Sequence, residues 1–513
     1  MERRRFLKST AVSSSALALS GCDSTLTRPV LPGESPFQHG VASGDPLSDR
    51  VILWTRVSPS SPTETQPKQV RWWVALNESG ATPVQEGEAL ARPEHDFTFK
   101  VDATGLEPDK RYYYGFEHQG FRSDVGRTRT LPDPSAQMSA SSAVRLAVTS
   151  CANYPQGYFN AYRHIANTSD LNAVLSLGDY FYEYGEGEYG AGAALNRVPE
   201  PPHEVLSLSD YRLRHAQHKA EPDLQAAHAA HPWIVIWDDH ESANNSWTDG
   251  AENHTPNEGD WSTRKVAAIK AYYEWMPIRV LPTGLFRHFR FGQLADLVML
   301  DTRLEGRNKQ VDANDLAAAR AQDRTLLGPI QEKRFLDHLT ATSESQVRWK
   351  VVGQQIVFAP WSNDDVLLNP DSWDGYRASR QNVLDHLEEG AIDNVIILTG
   401  DVHSAWGMNV PNKDRSKSQA IELVTPGVSS PPLASASPRT EELVNRATTD
   451  QPHVKYAEGL SNGYLIVDLT ADRASAEWYF TGPRTERAEN SVLDKVLVSL
   501  PGSNQLTDPT EPA

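Results

Sequence analysis

Five short apolar segments of this chain each run into polar side chains that can bind a metal. A short apolar run that ends in glycine or a polar residue is typical of a buried strand. In α/β sheets the ligand site lies where the carboxyl ends of the strands meet. We therefore expect the residues after the five segments to line one metal site. They are Cys151 and Asn153, Asp179, residues 238–240, Gln354 and Gln355, and Asp401 and His403.

The donors near these strand ends divide into two chemical groups. A thiolate and a phenolate, together with an imidazole and a carboxylate, favour a trivalent transition metal, best argued as iron. Carboxylates alone suit calcium. Two unlike metals side by side can clamp the attacking and leaving oxygens of a phosphoryl group and activate a hydroxide. The first group is Cys151, Tyr182, His403 and Asp179, and the second is Asp239 and Asp401, with Asp179 able to bridge both ions.

Three further side chains have the chemistry to take part in hydrolysis. His240, next to a candidate ligand, can protonate a leaving alcohol or stabilise developing charge. Asn153 can hydrogen-bond a phosphate oxygen, although an asparagine after a strand also commonly forms a turn. Arg303 can bind phosphate, and an internal ion pair with Asp238 or Glu241 is the alternative.

Packing roles compete with ligand roles at three positions. Tyr182 alternates with the tyrosines at 180 and 184, and such a pattern also fits packing along a strand edge. The alternative interpretation of Cys151 is an ordinary buried thiol, but its position at a strand end favours a role as a metal ligand. Asp238 and Asp239 are adjacent and point opposite ways, so we expect one to be a ligand and the other to brace it.

The chain divides into two structured regions, and the second holds these residues. Short alternating segments separated by turn residues predict a small fibronectin- or immunoglobulin-like β-sandwich with no chemistry of its own. After a linker at 133–143, strands alternate with helical segments, as in an α/β domain. The helical patterns lie at 158–167, 209–230, 262–274, 314–327 and 331–339. The predicted parts are a signal at 1–22, the β-sandwich at 34–132, the catalytic domain at 144–482, and a tail at 483–513 with a short helix near 492–500.

The first residues resemble a twin-arginine export signal. Three arginines at 3–5 precede Phe-Leu-Lys, and a short, mildly apolar stretch follows at 11–20. Leu-Ser-Gly-Cys at 19–22 resembles the lipobox of bacterial lipoproteins, so Cys22 is a candidate lipidation site; an ordinary signal peptide with a chance cysteine is the alternative. We expect twin-arginine export to the periplasmic or extracytoplasmic side, with membrane contact only through an N-terminal lipid. This route carries folded proteins, which suits an enzyme whose metal is inserted before export.

Composition narrows the classes of partner. The net charge of −18 argues against nucleic acid as a bound polyanion and is compatible with hard cations such as calcium. The chain is 39% hydrophobic with 13 tryptophans, which is enough for a large core. There are two cysteines, so lipidation of Cys22 would leave Cys151 without a disulfide partner. We expect a monomer.

Five motifs together resemble the PhoD-type alkaline phosphatases, which are relatives of the metallophosphoesterases and purple acid phosphatases. They are Cys-Ala-Asn-Tyr-Pro-Gln-Gly-Tyr-Phe at 151–159, Gly-Asp-Tyr-Phe-Tyr-Glu-Tyr-Gly at 178–185, Trp-Asp-Asp-His-Glu at 237–241, Leu-Asp-Thr-Arg at 300–303 and Gly-Asp-Val-His at 400–403. The segments at 40–46 and 52–56 are similar to the N-terminal β-domain of that family. The resemblance therefore covers nearly the whole mature chain.

This resemblance implies a secreted phosphomonoesterase and phosphodiesterase that acts on phosphate esters and uses Fe³⁺ and Ca²⁺. It implies a four-layer α/β/β/α catalytic domain behind the β-sandwich. Carried over by motif position, iron would be held by Cys151, Asp179, Tyr182 and His403, and calcium by Asp179, Asp239 and Asp401.

The chain departs from the general metallophosphoesterase pattern at three places. That pattern begins Asp-x-His, where this chain has Cys151-x-Asn153, in keeping with the PhoD branch. Residues 238–240 (Asp-Asp-His) occupy the position of Gly-Asn-His in the general pattern. Gln354 or Gln355 replaces the isolated middle histidine of that pattern. Two rival functions remain: a phospholipase D-like phosphodiesterase of the same fold, and a non-catalytic surface-binding lipoprotein. The second rival predicts broken ligands, and none is broken.

Overall fold

The structure, a computed structural model, describes residues 33–137, 139, 141–361 and 366–510. The predicted signal and Cys22 therefore lie outside the described residues. In chain order, strands β1 to β21 are Val41–Gly44, Arg50–Arg56, Lys68–Ala75, Pro83–Ala91, Thr98–Thr104, Arg111–His118, Phe121–Arg122, Gly126–Arg129, Ala143–Thr149, Ala173–Ser176, Pro232–Val235, Arg287–Phe291, Ala295–Met299, Trp349–Gly353, Val395–Thr399, Ala405–Pro411, Ser418–Val424, Val454–Glu458, Gly463–Thr470, Ala474–Thr481 and Ser491–Ser499. Helices α1 to α8 are Asn160–Asn167, Leu208–Lys219, Pro222–Ala230, Trp261–Trp275, Leu316–Ala319, Gly328–Glu344, Arg377–Glu389 and Pro438–Asp450.

Two sheets form the middle of the catalytic region. The large sheet has the strand order β21-β20-β19-β9-β10-β11-β1-β2-β5, and the second sheet has the order β12-β13-β14-β15-β17-β16-β18. Strands β9, β10 and β11 are parallel neighbours, and so are β14 and β15. These are the five strands that the apolar segments predict, and their carboxyl ends converge as expected.

The two sheets pack face to face, and helices cover their outer faces. One apolar cluster combines Val148 and Leu175 of the large sheet with Leu297 and Ile396 of the second, together with residues of α1 and α3. A second cluster joins the other face of the second sheet to α6 and α7. This arrangement is the four-layer α/β/β/α architecture that the family resemblance implies. At the catalytic end the Thr425 hydroxyl donates to Val148 O across 2.9 Å, which ties the two sheets together.

The N-terminal β-sandwich shares one wall with the catalytic region. Its outer wall is a separate sheet in which β3 lies between β4 and β6, and β6 also pairs with β7 and β8. Its inner wall is the β1-β2-β5 end of the large sheet, where β1 pairs in parallel with β11. Buried side chains of both walls, including Leu53, Val74 and Phe116, form its core. The predicted sandwich is therefore present, but its hydrogen bonding is continuous with the catalytic sheet.

Some predicted helices differ from the structure. The short helix expected near 492–500 is wrong: β21 occupies this segment and pairs antiparallel with β20, because its valines and leucines suit the open edge of the sheet. The helical pattern at 209–230 forms two helices, since Pro222 cannot continue α2 and the Glu221 carboxylate caps α3. Only α5 forms within 314–327.

Candidate metal centre

Four candidate ligands occupy left-handed backbone positions after their strands. The φ angles are 61° at Cys151, 52° at Asp179, 65° at Asp401 and 53° at His403. Non-glycine residues rarely adopt this conformation, which persists only where the surrounding structure enforces it. Here the turns are enforced by cross-strand bonds such as Ala152 N to Asp179 O, at 2.8 Å. The backbone thus turns sharply after β9, β10 and β15 and directs these side chains into one place.

The residues predicted to hold iron lie together. Ligand atoms of Cys151, Asp179 and His403 are all within 4.8 Å of one another. The Tyr182 hydroxyl lies 3.0 Å from Asp179 Oδ2 and 2.9 Å from His403 Nε2, so it belongs to the same cluster. The Ser430 hydroxyl donates to the Tyr182 oxygen at 2.7 Å. The alternative in which Tyr182 packs along a strand edge does not describe these polar contacts.

The carboxylates predicted to hold calcium form an adjoining cluster. Oxygens of Asp238, Asp239 and Asp401 lie within 4.8 Å of one another, and so do ligand atoms of Asp179, Asp239 and His240. Asp239 belongs to both groups, and Asp179 belongs to the iron group as well. The structure therefore brings the predicted bridging carboxylate between the two clusters.

Arg303 lies at the base of this acidic cluster with no solvent exposure. Its guanidinium donates to Asp238, to Asp371 at 2.7 Å and to Asp401 at 3.0 Å, and it approaches Asp239 to 3.5 Å. The predicted ion pair with Asp238 is therefore present. A contact of Arg303 with phosphate stays a prediction.

Asp371, Glu183 and Glu241 belong to the site, although the sequence pointed only to Glu241, as an alternative ion-pair partner of Arg303. Asp371 accepts from Arg303 and, at 2.6 Å, from Arg307. The Glu241 carboxylate accepts from the backbone N–H groups of Asp179, Tyr180 and Asp238, at 3.0, 2.6 and 2.8 Å, and so fastens the ends of β10 and β11 together. Glu241 and Glu183 stand inside quoted motifs, which was a usable signal. Asp371 lies in an irregular segment, where no pattern points to it.

His240 is oriented by Glu183 and enclosed by aromatic rings. His240 Nδ1 lies 2.7 Å from Glu183 Oε2, while Glu183 Oε1 accepts from the Asn244 backbone N–H and the Asn253 side-chain amide of the following loop. The rings of Tyr182 and Tyr189 lie 4.0 and 6.4 Å from the imidazole, and the Tyr184 ring lies at 5.5 Å. The tyrosines come from the segment after β10, which covers the site. They shield the imidazole from solvent.

The three predicted amide side chains, Gln354, Gln355 and Asn153, differ in how many of their polar atoms already have a hydrogen-bond partner. Gln354 is engaged with Ile356 O, the Thr399 hydroxyl and the Trp373 indole. Gln355 Oε1 accepts from Thr302, whereas its Nε2 is buried with no hydrogen-bond partner among the described residues. Of the two glutamines, Gln355 is thus the one whose side-chain NH2 group is available to bind a ligand. Asn153 Oδ1 is likewise buried and unpaired in the described part of the chain, and its side chain does not cap the short helix that follows.

Burial dominates the pKa values of the acidic donors. Burial and the charge of Asp179 raise the pKa of Cys151 well above its usual value, and burial does the same to Asp179 and Tyr182. Burial also raises the pKa of Asp401 to about 7. At Asp239 burial would raise the pKa, but Arg303 and His240 outweigh it and lower the value to about 2. Most of these donors are thus buried acids whose ionised form needs a nearby cation.

The two histidines of the site are shifted in opposite directions. Burial would lower the pKa of His240, but Asp239, Asp179 and Glu183 together raise it well above the usual value. Burial and the neighbouring His240 lower the pKa of His403 to about 4. The three carboxylates therefore favour the protonated form of His240, whereas His403 is neutral at neutral pH and can offer a ring nitrogen to a metal.

Comparisons with known proteins identify similar chains. The sequence model described as PhoD-like phosphatase matches residues 146–478, and the one described as PhoD-like phosphatase, N-terminal domain, matches residues 24–132. Alkaline phosphatase D of Bacillus subtilis (strain 168) is 39% identical over 472 residues, which cover 86% of this chain and 77% of that protein. A solved structure described as "Structure of PhoD" superposes with a TM-score of 0.84 at 35% identity and covers 94% of this chain and 93% of that chain.

Proposed function

The chain belongs to the PhoD-like phosphatase family and is an alkaline phosphatase of the PhoD type that acts on phosphate esters, and we propose that it uses a mixed iron–calcium centre. We further propose that it cleaves both monoesters and diesters, and that it works outside the cytoplasmic membrane. The iron ligands in this proposal are Cys151, Asp179, Tyr182 and His403, and the calcium ligands are Asp179, Asp239 and Asp401.

One observation carries the proposal: a thiol, a phenol, a neutral imidazole and several carboxylates converge in two adjoining clusters. Thiolate and phenolate beside imidazole suit iron, and carboxylates suit calcium. Buried carboxylate oxygens of Asp179, Asp238 and Asp239 have no hydrogen-bond partner within the described ranges. Unpaired buried oxygens of this kind fit a cation and are costly without one. The residues present therefore fit both metals.

When bound, the two metals would polarise the phosphate oxygens and supply an ionised water. The chain's own residues would handle the leaving group. Glu183 fixes His240 at Nδ1 and favours the protonated ring, so the other ring N–H of His240 can pass its proton to the departing alkoxide. The proton lost from the imidazole is then replaced from solvent between turnovers.

Orientation of the ester and exclusion of water would fall to other side chains. The side-chain NH2 of Asn153 can donate to a phosphate oxygen, and its buried Oδ1 has no hydrogen-bond partner among the described residues. Tyr184 and Tyr189 lie beside the His240 ring and limit the access of water to it. Glu241 holds the backbone turns that present Asp179 and Asp238.

Elemental analysis of protein matured through its native export route, with hydrolysis assays on the same sample, tests this proposal. We expect iron close to one atom per chain together with calcium, and loss of activity on chelation. The Cys151→Ala variant should lose iron and hydrolysis while its β-sandwich stays folded. A well-folded wild type without metal, or a Cys151→Ala variant with full activity, would refute the metal assignment.

The choice between monoester and diester is measured in the same preparation. A phosphomonoester and a phosphodiester with the same leaving group isolate the effect of the second ester arm. We expect both to be hydrolysed, with both rates falling together on chelation. Hydrolysis of the monoester alone would contradict the diesterase part of the proposal.

The proposed location rests on the residues at 1–22. Among the described residues, no helix combines the length and apolar character needed to cross a membrane. Lysines in place of Arg3 and Arg4 should keep the chain in the cytoplasm, and Cys22→Ser should release exported protein from the membrane fraction. Unchanged fractionation of both variants would exclude this export and anchoring route.

A further inference from the structure

A second cluster of potential metal ligands lies away from the catalytic centre. It consists of His288, Asp296 and His338, and one ligand atom from each lies within 4.8 Å of the other two. Asp296 stands near the start of β13, whereas the catalytic residues follow the other end of the parallel strands. From Asp296 to the end of β13 at Met299 the strand alone spans roughly 10 Å, and Arg303 of the catalytic centre lies four residues further on. The phosphatase chemistry does not use this cluster.

The fold places the three residues on one surface. In the β12–β13 pairing, His288 faces Val298 and Arg290 faces Asp296, so all four side chains lie on the same face of the sheet. Helix α6 packs on that face, with Phe335 and Leu339 buried beside Val298. His338 precedes Leu339 on this helix and reaches the carboxylate from above. The cluster thus spans edge strand β12, its neighbour β13 and helix α6.

The individual contacts leave one side of the cluster open. Asp296 Oδ1 lies 2.8 Å from His338 Nε2, and Asp296 Oδ2 lies 3.3 Å from Arg290. The rings of His288 and His338 lie 4.8 Å apart at an angle of 44°. His288 is exposed to solvent and Asp296 is buried, so the site has a solvent entrance on the histidine side. The Thr342 hydroxyl, 3.4 Å from His338 Nε2, is a further polar neighbour.

We propose that His288, Asp296 and His338 bind a zinc ion. Two imidazoles and one carboxylate oxygen are ligands that zinc prefers, and water can complete the tetrahedron. Ligand atoms about 2.0–2.1 Å from zinc lie about 3.3 Å apart in a tetrahedron. The cluster needs only a side-chain adjustment to reach this spacing, and the exposed His288 ring is free to make it. Arg290 would hold the second carboxylate oxygen and orient the ligand.

The charge states of the ligands agree with this site. Partial desolvation of the ring lowers the pKa of His288, and the attraction of Asp296 does not offset it. Burial would raise the pKa of Asp296, but the hydrogen bond and charge of His338 lower it. A neutral imidazole and an ionised carboxylate are the forms that bind zinc, so zinc would displace the proton that His338 shares with Asp296. Bound zinc would join α6 to the edge strand β12.

The alternative is a hydrogen bond between His338 and Asp296 that only fastens α6 to β13. His288→Ala separates the two interpretations, because it removes one zinc ligand and leaves that hydrogen bond in place. His338→Ala removes both. His386→Ala is the matched control, since His386 also contacts α6, at Thr340 across 2.9 Å, but has no place in the cluster.

The test is a zinc titration of the full chain already loaded with its own metals, followed by elemental analysis and thermal unfolding. We expect one additional zinc per chain in wild type and His386→Ala, and binding at least tenfold weaker in His288→Ala and His338→Ala. Zinc should raise the unfolding temperature of wild type and not that of His288→Ala. Phosphatase activity before zinc addition should be equal in wild type, His288→Ala and His386→Ala.

Two results would overturn the proposal. One is equal zinc stoichiometry in wild type and His288→Ala, which would place any extra zinc elsewhere, including at the catalytic centre. The other is no additional zinc in wild type below about 100 μM, an affinity too weak for a built site. His288→Ala folds if its unfolding temperature without zinc matches that of His386→Ala. Should His288→Ala fail this check, His288→Gln replaces it.

Discussion

Two tyrosines that are two positions apart in the chain have separate roles. The Tyr182 hydroxyl contacts Asp179, His403 and Ser430 inside the metal cluster. The Tyr180 hydroxyl lies 2.9 Å from His228 Nε2 in the core. Both rings are buried, so an identical substitution at each position separates the loss of a ligand from the loss of a buried hydroxyl.

We predict that Tyr182→Phe lowers kcat at least tenfold and removes the visible absorption of a phenolate bound to ferric iron. Tyr180→Phe should keep activity and colour, at a stability cost of about 1 kcal/mol for its lost hydrogen bond. Absorption spectra, iron content and steady-state kinetics of both variants are the measurements. Equal activity of the two variants would show that Tyr182 only packs in the core and is not a metal ligand.

Asp371 is a positioning residue in our interpretation, because it holds Arg303 and Arg307 without belonging to either metal cluster. In Asp371→Asn, Arg303 loses one counter-charge and competes more strongly with a metal for Asp401. We predict a 10- to 100-fold loss of calcium affinity, the usual size for residues that orient ligands. Activity should recover as calcium is raised.

The matched control for Asp371 is Asp374→Asn. Asp374 is also a buried aspartate paired with an arginine, Arg380 at 2.6 Å, but it lies outside the two clusters. Calcium dependence of kcat should be unchanged in this variant. A loss at Asp371 that high calcium cannot rescue would indicate a purely structural role.

At the scale of elements, Gly178 controls the approach of β10 to β11. Its φ is 102°, and a Cβ atom there would lie 2.3 Å from the Asp238 backbone N. Gly187 has a φ of 82°, but no atom lies within 4 Å of its Cβ position. Both glycines carry the cost of a left-handed conformation, and Gly178 alone adds a clash.

We predict that Gly178→Ala destabilises the protein by several kcal/mol and abolishes activity, since the strand ends must move apart. Gly187→Ala should cost about 1 kcal/mol and leave kcat close to wild type. Urea unfolding and steady-state kinetics provide the comparison. Similar losses in the two variants would mean that backbone strain, and not the strand contact, makes Gly178 necessary.

Elements with a strong local signature could be predicted from the sequence. The strands before Cys151, Asp179 and Asp401 are short apolar runs. Parallel pairing brings the ends of the first two together, and packing of the two sheets adds the third. The segment at 492–500 was misassigned because its apolar residues fit a helix or an edge strand equally, and only the free edge of β20 selects the strand. The pairing of β1 with β11 joins segments far apart in sequence, so no local pattern reveals it.

The candidate site was predictable wherever chemistry and strand position coincide. Cys151, Asp179, Asp239, Asp401 and His403 meet both conditions, and the structure brings them together. Asp371 meets only the first condition, because its neighbours in the chain form no regular element. Its role depends on two arginines that are more than 60 residues away. Side-chain frameworks of this kind are set by tertiary packing alone.

On the scale of the whole molecule, the N-terminal sandwich is tied to the catalytic region by more than the shared sheet. The indole of Trp54 donates to Glu274 O at 2.9 Å, and Arg287 pairs with Asp45 at 2.7 Å. Lys100 of β5 donates to Tyr273 O and Ile278 O, at 2.5 and 3.1 Å. These contacts predict that the two regions unfold together.

Lys100 also makes this junction sensitive to pH. Burial lowers its pKa from 10.5 to about 8 in the folded protein. Between these two values the unfolded chain binds the extra proton, so the contribution of Lys100 to folding becomes more favourable as the pH rises. We predict that the stability of wild type relative to Lys100→Met increases by about 3 kcal/mol between pH 7.5 and 10.5.

Urea unfolding of both proteins across this range measures the effect. Lys455→Met is the control, because Lys455 is an exposed lysine that also donates to a backbone carbonyl, Pro452 O at 2.8 Å. The difference in stability between wild type and Lys455→Met should not increase in this way between pH 7.5 and 10.5. A constant difference between wild type and Lys100→Met would show that folding does not change the pKa of Lys100.

The order of strands in the large sheet also determines when each strand can pair with its neighbours during translation. Strand β9 sits between β10 and β19, and β19 ends at residue 470, so a ribosome must deliver almost all of the chain before β9 gains its second neighbour. At about 5–20 residues per second, the earlier strands wait on the order of tens of seconds with unpaired edges. During that interval the unpaired strand edges of the nascent chain need protection by chaperones. Any transport machinery that accepts only a finished fold can therefore act only after translation ends.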